Sequence, residues 1–191
     1  MEAKMQEILD LDRGKSLLLV IDIQERLCTS MAQDELDAML KNTKILIQGC
    51  DILEVPIWQS LQYIKGLGNS VEGLFGESNH SDFEKRAFSV VYEGSPLLAY
   101  LTQNPHRTQI IIAGMEAHIC VLQSARDLLN MGFEVAIASD CVISRKNANK
   151  ANALSFLSQC GGIVLNTESI LFDLLKDSKS PQFKAISALI K

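Results

Sequence analysis

The stretch "SLLLVID" at 16–22 is a continuous apolar run closed by an acid, and "TQIIIAG" at 108–114 repeats the pattern more strongly. Runs without polar alternation belong to strands buried on both faces, the condition of a parallel sheet flanked by helices. Segments with helical spacing lie between them. In "ELDAMLKNTKILIQGCDIL" (35–53) Leu36, Met39, Leu40, Ile47 and Cys50 fall roughly on one face. After 114, Val121, Leu122, Ala125, Leu128 and Leu129 do the same, before a stop at Gly132. "VPIWQSLQ" (55–62, with Pro56 at its start), "FEKRAFSVV" (83–91), "FEVAIASD" (133–140) and "IVLN" (163–166) read as further strands. Helices are predicted over 95–104 with Pro96 in the first turn, over about 147–160 closed by Gly161 and Gly162, after a cap at Thr167, and over 181–191. The stretch 63–82 holds four glycines and little periodicity, and reads as a long loop.

Apolar strands alternating with helices predict an α/β fold: a doubly wound, mostly parallel six-stranded sheet with helices on both faces, Rossmann-like in architecture. The length of 191 residues suits one domain over 1–191, with a core of about 15–175 and a C-terminal helical extension at 176–191. A net charge of -5 argues against a nucleic-acid surface, which would carry a basic stripe. No apolar run approaches the roughly 18 residues that span a bilayer. The N-terminal "MEAKMQEILDLDRGKS" is too charged for a secretory signal, so the expected location is the cytoplasm. Cysteines at 28, 50, 120, 141 and 160 are odd in number and lack a C-x-x-C, which fits neither a disulfide framework nor a zinc site.

In doubly wound sheets ligands bind outside the carboxyl ends of the strands. That rule selects Asp22, the 59–64 stretch, Lys85 with its neighbours, the 115–120 turn and Asp140. Cys120 is the strongest candidate. In the first turn of a helix it would meet unpaired N–H groups that favour a thiolate and could hold an oxyanion. The plain alternative is a small core residue. Asp22 is either a catalytic acid or a helix cap. Phe83, Lys85 and Ala87 share one strand face, which would turn the lysine toward apolar groups, although exposed lysines are far commoner. His118, two residues before the cysteine, is a rival base. His80 and His106 sit in polar loops. No spacing of histidine, cysteine and acid supports a metal site, and "GLG" at 66–68 is too short to cradle a phosphate.

Three segments in this order, "LLLVIDIQERL" with Asp22 and Gln24, "FEKRAFSVV" with Lys85 and "AGMEAHICVLQSARDLLNMGFEV" with Cys120, resemble the isochorismatase-like cysteine hydrolases. The similarity covers about residues 15–175. A "QYIKGLG" stretch containing Gln62, Tyr63, Gly66, Leu67 and Gly68, together with "NTESILF", is similar to the isochorismatase-domain proteins of that group. The resemblance implies that Cys120 is a nucleophile toward an amide or related carbon, with a thioester intermediate. It implies that Asp22 takes the thiol proton and later serves the leaving group or water, and that Lys85 steadies the thiolate. It also implies a non-proline cis peptide at Met115–Glu116 and an oxyanion hole from the N–H groups of Glu116 and Cys120.

Nicotinamidases in this superfamily carry metal ligands in an Asp-x-His arrangement after the second strand. Gln62 stands at the aspartate's place here and no histidine follows, which argues against a metal and against nicotinamide. True isochorismatases lack the cysteine, which argues against isochorismate. The expected chemistry is hydrolysis of a small amide, imide or carbamoyl compound, without cofactor. Gln62, Tyr63, Phe88 and His118 are candidates to bind it. Relatives usually self-associate, so a homo-oligomer is expected. The competing roles are a non-catalytic assembly or binding module, and a thiol redox sensor in which Cys141 would resolve Cys120.

Overall fold

The computed structural model describes residues 10–191; the charged segment 1–9 lies outside the described residues. Six strands form one sheet: β1 (Ser16–Ile21), β2 (Ile57–Gln62), β3 (Ser81–Lys85), β4 (Gln109–Met115), β5 (Glu134–Ile143) and β6 (Ile163–Leu165). Their order is β3-β2-β1-β4-β5-β6 and every pairing is parallel, so the sheet is fully rather than mostly parallel. The chain winds outward from β1 through β2 to β3, then crosses back to place β4 on β1's other side. This reversal puts the topological switch point between β1 and β4, and sheets of this kind bind ligands at the carboxyl ends of the strands there.

The continuous apolar runs fill both faces. Leu18 and Val20 of β1 point into one core with Leu36, Met39, Leu46, Ile47 and Cys50 of α2 (Gln33–Ile52). Ile170, Leu171 and Leu174 of α7 (Thr167–Leu175) and Ile186 of α8 (Phe183–Ile190) complete it. Leu17, Leu19 and Ile21 point into the other core. There they meet Leu97 and Leu101 of α4 (Pro96–Gln103), Ala125 and Leu128 of α5 (Leu122–Asn130), and Ala153 and Leu157 of α6 (Asn147–Gln159). Burying each large aliphatic side chain contributes about 2 kcal/mol. Short helices α1 (Glu25–Cys28) and α3 (Ile64–Leu67) follow β1 and β2, so the predicted loop after β2 begins with a helical turn.

Three local expectations are corrected. β3 ends at Lys85 instead of running to 91, because the carbonyls of Ala87 and Phe88 fold back onto the lysine ammonium. β5 continues to Ile143, its register against β4 shifting between Ile112 and Gly114. At the start of α7 the cap is Asn166, whose side chain accepts from Ser169 N, rather than Thr167. Thr167 instead donates its N–H and hydroxyl to Asp140 Oδ1, so Asp140 anchors this helix and stands outside the candidate site.

Candidate active site

Asp22, at the carboxyl end of β1, adopts a left-handed backbone conformation (φ 53°) that aspartate tolerates better than most residues. Its N–H donates to Ser60 O on β2. Its carboxylate accepts from Ser60 Oγ at 2.7 Å and from Lys85 Nζ at 2.7 Å. The alternative role as a cap does not hold, because α1 starts from Gln24 without a side-chain cap. Lys85 closes β3, and its side chain is fully buried. Besides Asp22, its ammonium donates to Gln62 Oε1 at 2.8 Å, Phe88 O at 3.0 Å and Ala87 O at 3.3 Å.

Cys120 comes from β4's end and abuts Asp22. It lies in a π-helical turn, Ala117–Val121, with Val121 N bonded to Glu116 O, and not in the first turn of α5. The approach of β1 and β4 depends on Gly114. At φ 129° a Cβ there would lie 2.0 Å from Ile21 O, so any side chain would push the two strand ends apart. The Met115–Glu116 peptide that follows is cis. Glu116 is held by Arg145, whose Nη2, Nε and N–H donate to its carboxylate at 2.7, 3.2 and 3.0 Å. His118 Nδ1 is hydrogen-bonded to Ser144 Oγ at 3.0 Å. The segment after β5 thus holds two side chains of the turn that carries the cysteine.

The electrostatics correct one expectation. Burial first, and then the Asp22 charge, push the Cys120 thiol up to about 12 against the opposing pull of Lys85. The resting sulfur is therefore a thiol, not a thiolate prepared by a helix end. Burial also raises the Asp22 carboxyl, opposed by Lys85 and by hydrogen bonds from Lys85, Ser60 and Cys120. Burial works against ionisation of Glu116 as well, but Arg145 outweighs it and holds that carboxyl below its usual range.

The expected substrate contacts fare differently. Gln62 is engaged by the protein at both ends of its amide, Oε1 with Lys85 and Nε2 with Arg86 O at 2.7 Å. Tyr63 lies under the Arg86 guanidinium, 4.0 Å from ring centroid to Cζ. Phe88 is 53% exposed. A cavity of about 280 Å³ beside Lys85 is lined by Glu84, Lys85, Arg86, Ala87 and Tyr92, none of them among the four residues expected. Ser60, within the 59–64 stretch selected at the strand ends, and Gln24, part of the first of the three segments, are both fully buried, and the sequence assigned neither of them a role. Among the described residues, no group of three or more His, Cys, Asp or Glu side chains is placed to hold a metal.

Residues 16–169 match the isochorismatase domain. The chain belongs to the isochorismatase family. It is similar to isochorismatase family protein 1A of Dictyostelium discoideum, 37% identical over 97% of this chain and 90% of that one. A secreted isochorismatase effector of Phytophthora sojae is 34% identical over 92% and 84%. The MAR1 ribonuclease of Caenorhabditis elegans superimposes with a TM-score of 0.88 at 30% identity, covering 95% of this chain and 92% of that chain. By family and fold the chain is thus one of the isochorismatase-like hydrolases. Among the described residues, no helix of this family member is long and apolar enough to cross a membrane.

Proposed function

We propose that the protein hydrolyses a small amide, imide or carbamoyl compound through a thioester on Cys120. The observation that carries this reading is the meeting of Cys120, Asp22 and Lys85, drawn from three strand ends, in a site that solvent scarcely reaches. As the sulfur attacks the carbonyl carbon, its proton passes to Asp22 and the carbonyl electrons move to oxygen. The N–H groups of Glu116 and Cys120 receive that oxyanion. Collapse breaks the C–N bond, and Asp22 returns the proton to the departing nitrogen. Water then attacks the thioester, again losing a proton to Asp22, and the acid leaves as the thiol reforms. Lys85 keeps Asp22 anionic between these transfers, despite a burial that favours the neutral acid.

The redox-sensor reading is weaker, because Cys141 packs in the core on the opposite face of the sheet from Cys120 and bonds Thr167 Oγ1. The assembly-module reading gives no reason to bury a lysine–carboxylate pair against a thiol. A net charge of -5 favours small molecules over the RNA that the Caenorhabditis relative's name implies. We place the protein in the cytosol on its five free thiols, although the Phytophthora relative is named as secreted. The test is ammonia release across a panel of small amides, imides and carbamoyl compounds, with an RNA substrate alongside. Turnover that disappears in Cys120→Ala supports the proposal; turnover that persists in that variant, or RNA cleavage alone, refutes it.

A further inference from the structure

We infer that Gln62 is a positioning residue for Lys85, anchored by Gln24, and that it acts on Cys120 only through the lysine. This rests on the Cys120–Asp22–Lys85 reading above. An ammonium is a donor only, and a carbonyl oxygen an acceptor only. Gln62 is caught between one of each, its Oε1 facing Lys85 Nζ at 2.8 Å and its Nε2 facing Arg86 O at 2.7 Å. Turning the amide over would set NH₂ against the ammonium and oxygen against the carbonyl. The partners therefore fix its orientation.

The backbone of Gln62 is held as firmly. Its N–H donates to Gln24 Oε1 at 2.7 Å, and Gln24 Nε2 donates to Gln62 O at 3.1 Å and Gly68 O at 2.7 Å. Gln24 is fully buried and lies two residues past Asp22, so it ties the exit of β1 to the end of β2. The two amides set the distance between the lysine charge and the Asp22 carboxylate. In a site this dry that distance governs how the Asp22 and Cys120 proton equilibria divide. Gln62 thereby belongs to the machinery that holds Lys85 rather than to the surface that reads substrate.

The test follows alkylation of Cys120 by iodoacetamide from pH 7 to 10, using peptide mass spectrometry. A Cys160→Ser background removes the exposed thiol. Lys85→Met and Gln62→Met should each slow Cys120 by about tenfold, the effect of about one unit in thiol pKa. The double variant should be no slower than Lys85→Met alone, since residues acting as one unit are not additive. Gln62→Glu keeps the length but adds a second carboxylate to Lys85. It should move the pH profile up by about one unit, and it carries the test if Gln62→Met does not fold. A Gln62→Met rate equal to wild type, additive effects in the double variant, or a Gln62→Glu profile that overlays wild type overturns the inference and leaves the proposed triad standing. An unchanged rate in Lys85→Met overturns both.

Discussion

Lys85 Nζ stands 2.7 Å from Asp22 Oδ2, and solvent reaches neither side chain. Removing one member of such a pair strands a buried charge, at a cost of about 3–5 kcal/mol. Asp22→Asn should therefore abolish turnover and also destabilise the fold, because Lys85 is left buried without its anionic partner. Stability loss in that single variant does not identify a helix cap. Asp22→Asn combined with Lys85→Met should recover most of the lost stability in urea unfolding while remaining inactive. A double variant no more stable than Asp22→Asn would contradict the pairing.

Cys120, with its thiol pushed to about 12, should alkylate slowly at neutral pH and about tenfold faster for each pH unit up to 10. The exposed Cys160 should label first at pH 7. The linkage has the same origin. The folded thiol lies above its ordinary 9.0, so its contribution to stability is complete below that value and is lost as pH rises toward 12. Melting curves from pH 8 to 11 should fall less steeply for Cys120→Ala than for wild type. Parallel curves would show that the thiol is not shifted.

Arg145 grips Glu116 through three hydrogen bonds and so holds the turn that presents Cys120. With the Glu116 carboxyl held below its ordinary 4.5, this contribution is present above that pH and disappears as pH falls through the folded value. Arg145→Ala should lower stability at pH 7 and lower it less at pH 3, by urea unfolding at each. On any substrate found, kcat should fall more than KM rises, since a displaced turn spoils orientation rather than binding. Equal destabilisation at both pH values would mean that Arg145 contributes packing alone.

Gly114→Ala should prevent the native packing of β1 on β4. A Cβ 2.0 Å from Ile21 O has no flexible neighbour to displace, only backbone. Loss of more than about 3 kcal/mol, or insoluble protein, is expected. A folded Gly114→Ala protein with wild-type melting would show that the strand ends are farther apart than described.

Gln62 occupies itself with Lys85 and Arg86, which leaves it unsuited to ligate an ion. Metal analysis of the purified protein should find no stoichiometric zinc, iron or manganese, and chelators should leave activity unchanged. A tightly bound ion whose removal abolishes activity would refute this.

The sequence by itself determined the layers. Apolar runs at 17–21 and 110–113 leave no polar face, so they had to be sheathed on both sides, and helical spacing between strands supplied the sheath. Position at strand ends also brought forward Asp22, Lys85 and the Cys120 turn. Tertiary structure alone decided what those residues are. A lysine's burial depends on acceptors brought by other elements, and Asp22, Gln62, Ala87 and Phe88 surround Lys85 only once β1, β2 and β3 pair. The state of Cys120 followed the same logic. Helix position suggested a thiolate, but burial beside Asp22 outweighs that local effect, because removing charge from water costs more than a helix end returns. Asp140, a candidate by position, became an anchor for α7 because Thr167 arrives there from a distant part of the chain. Local periodicity records which face is buried, whereas the partners a polar group finds are set by contacts across the sheet, which no neighbouring residue encodes.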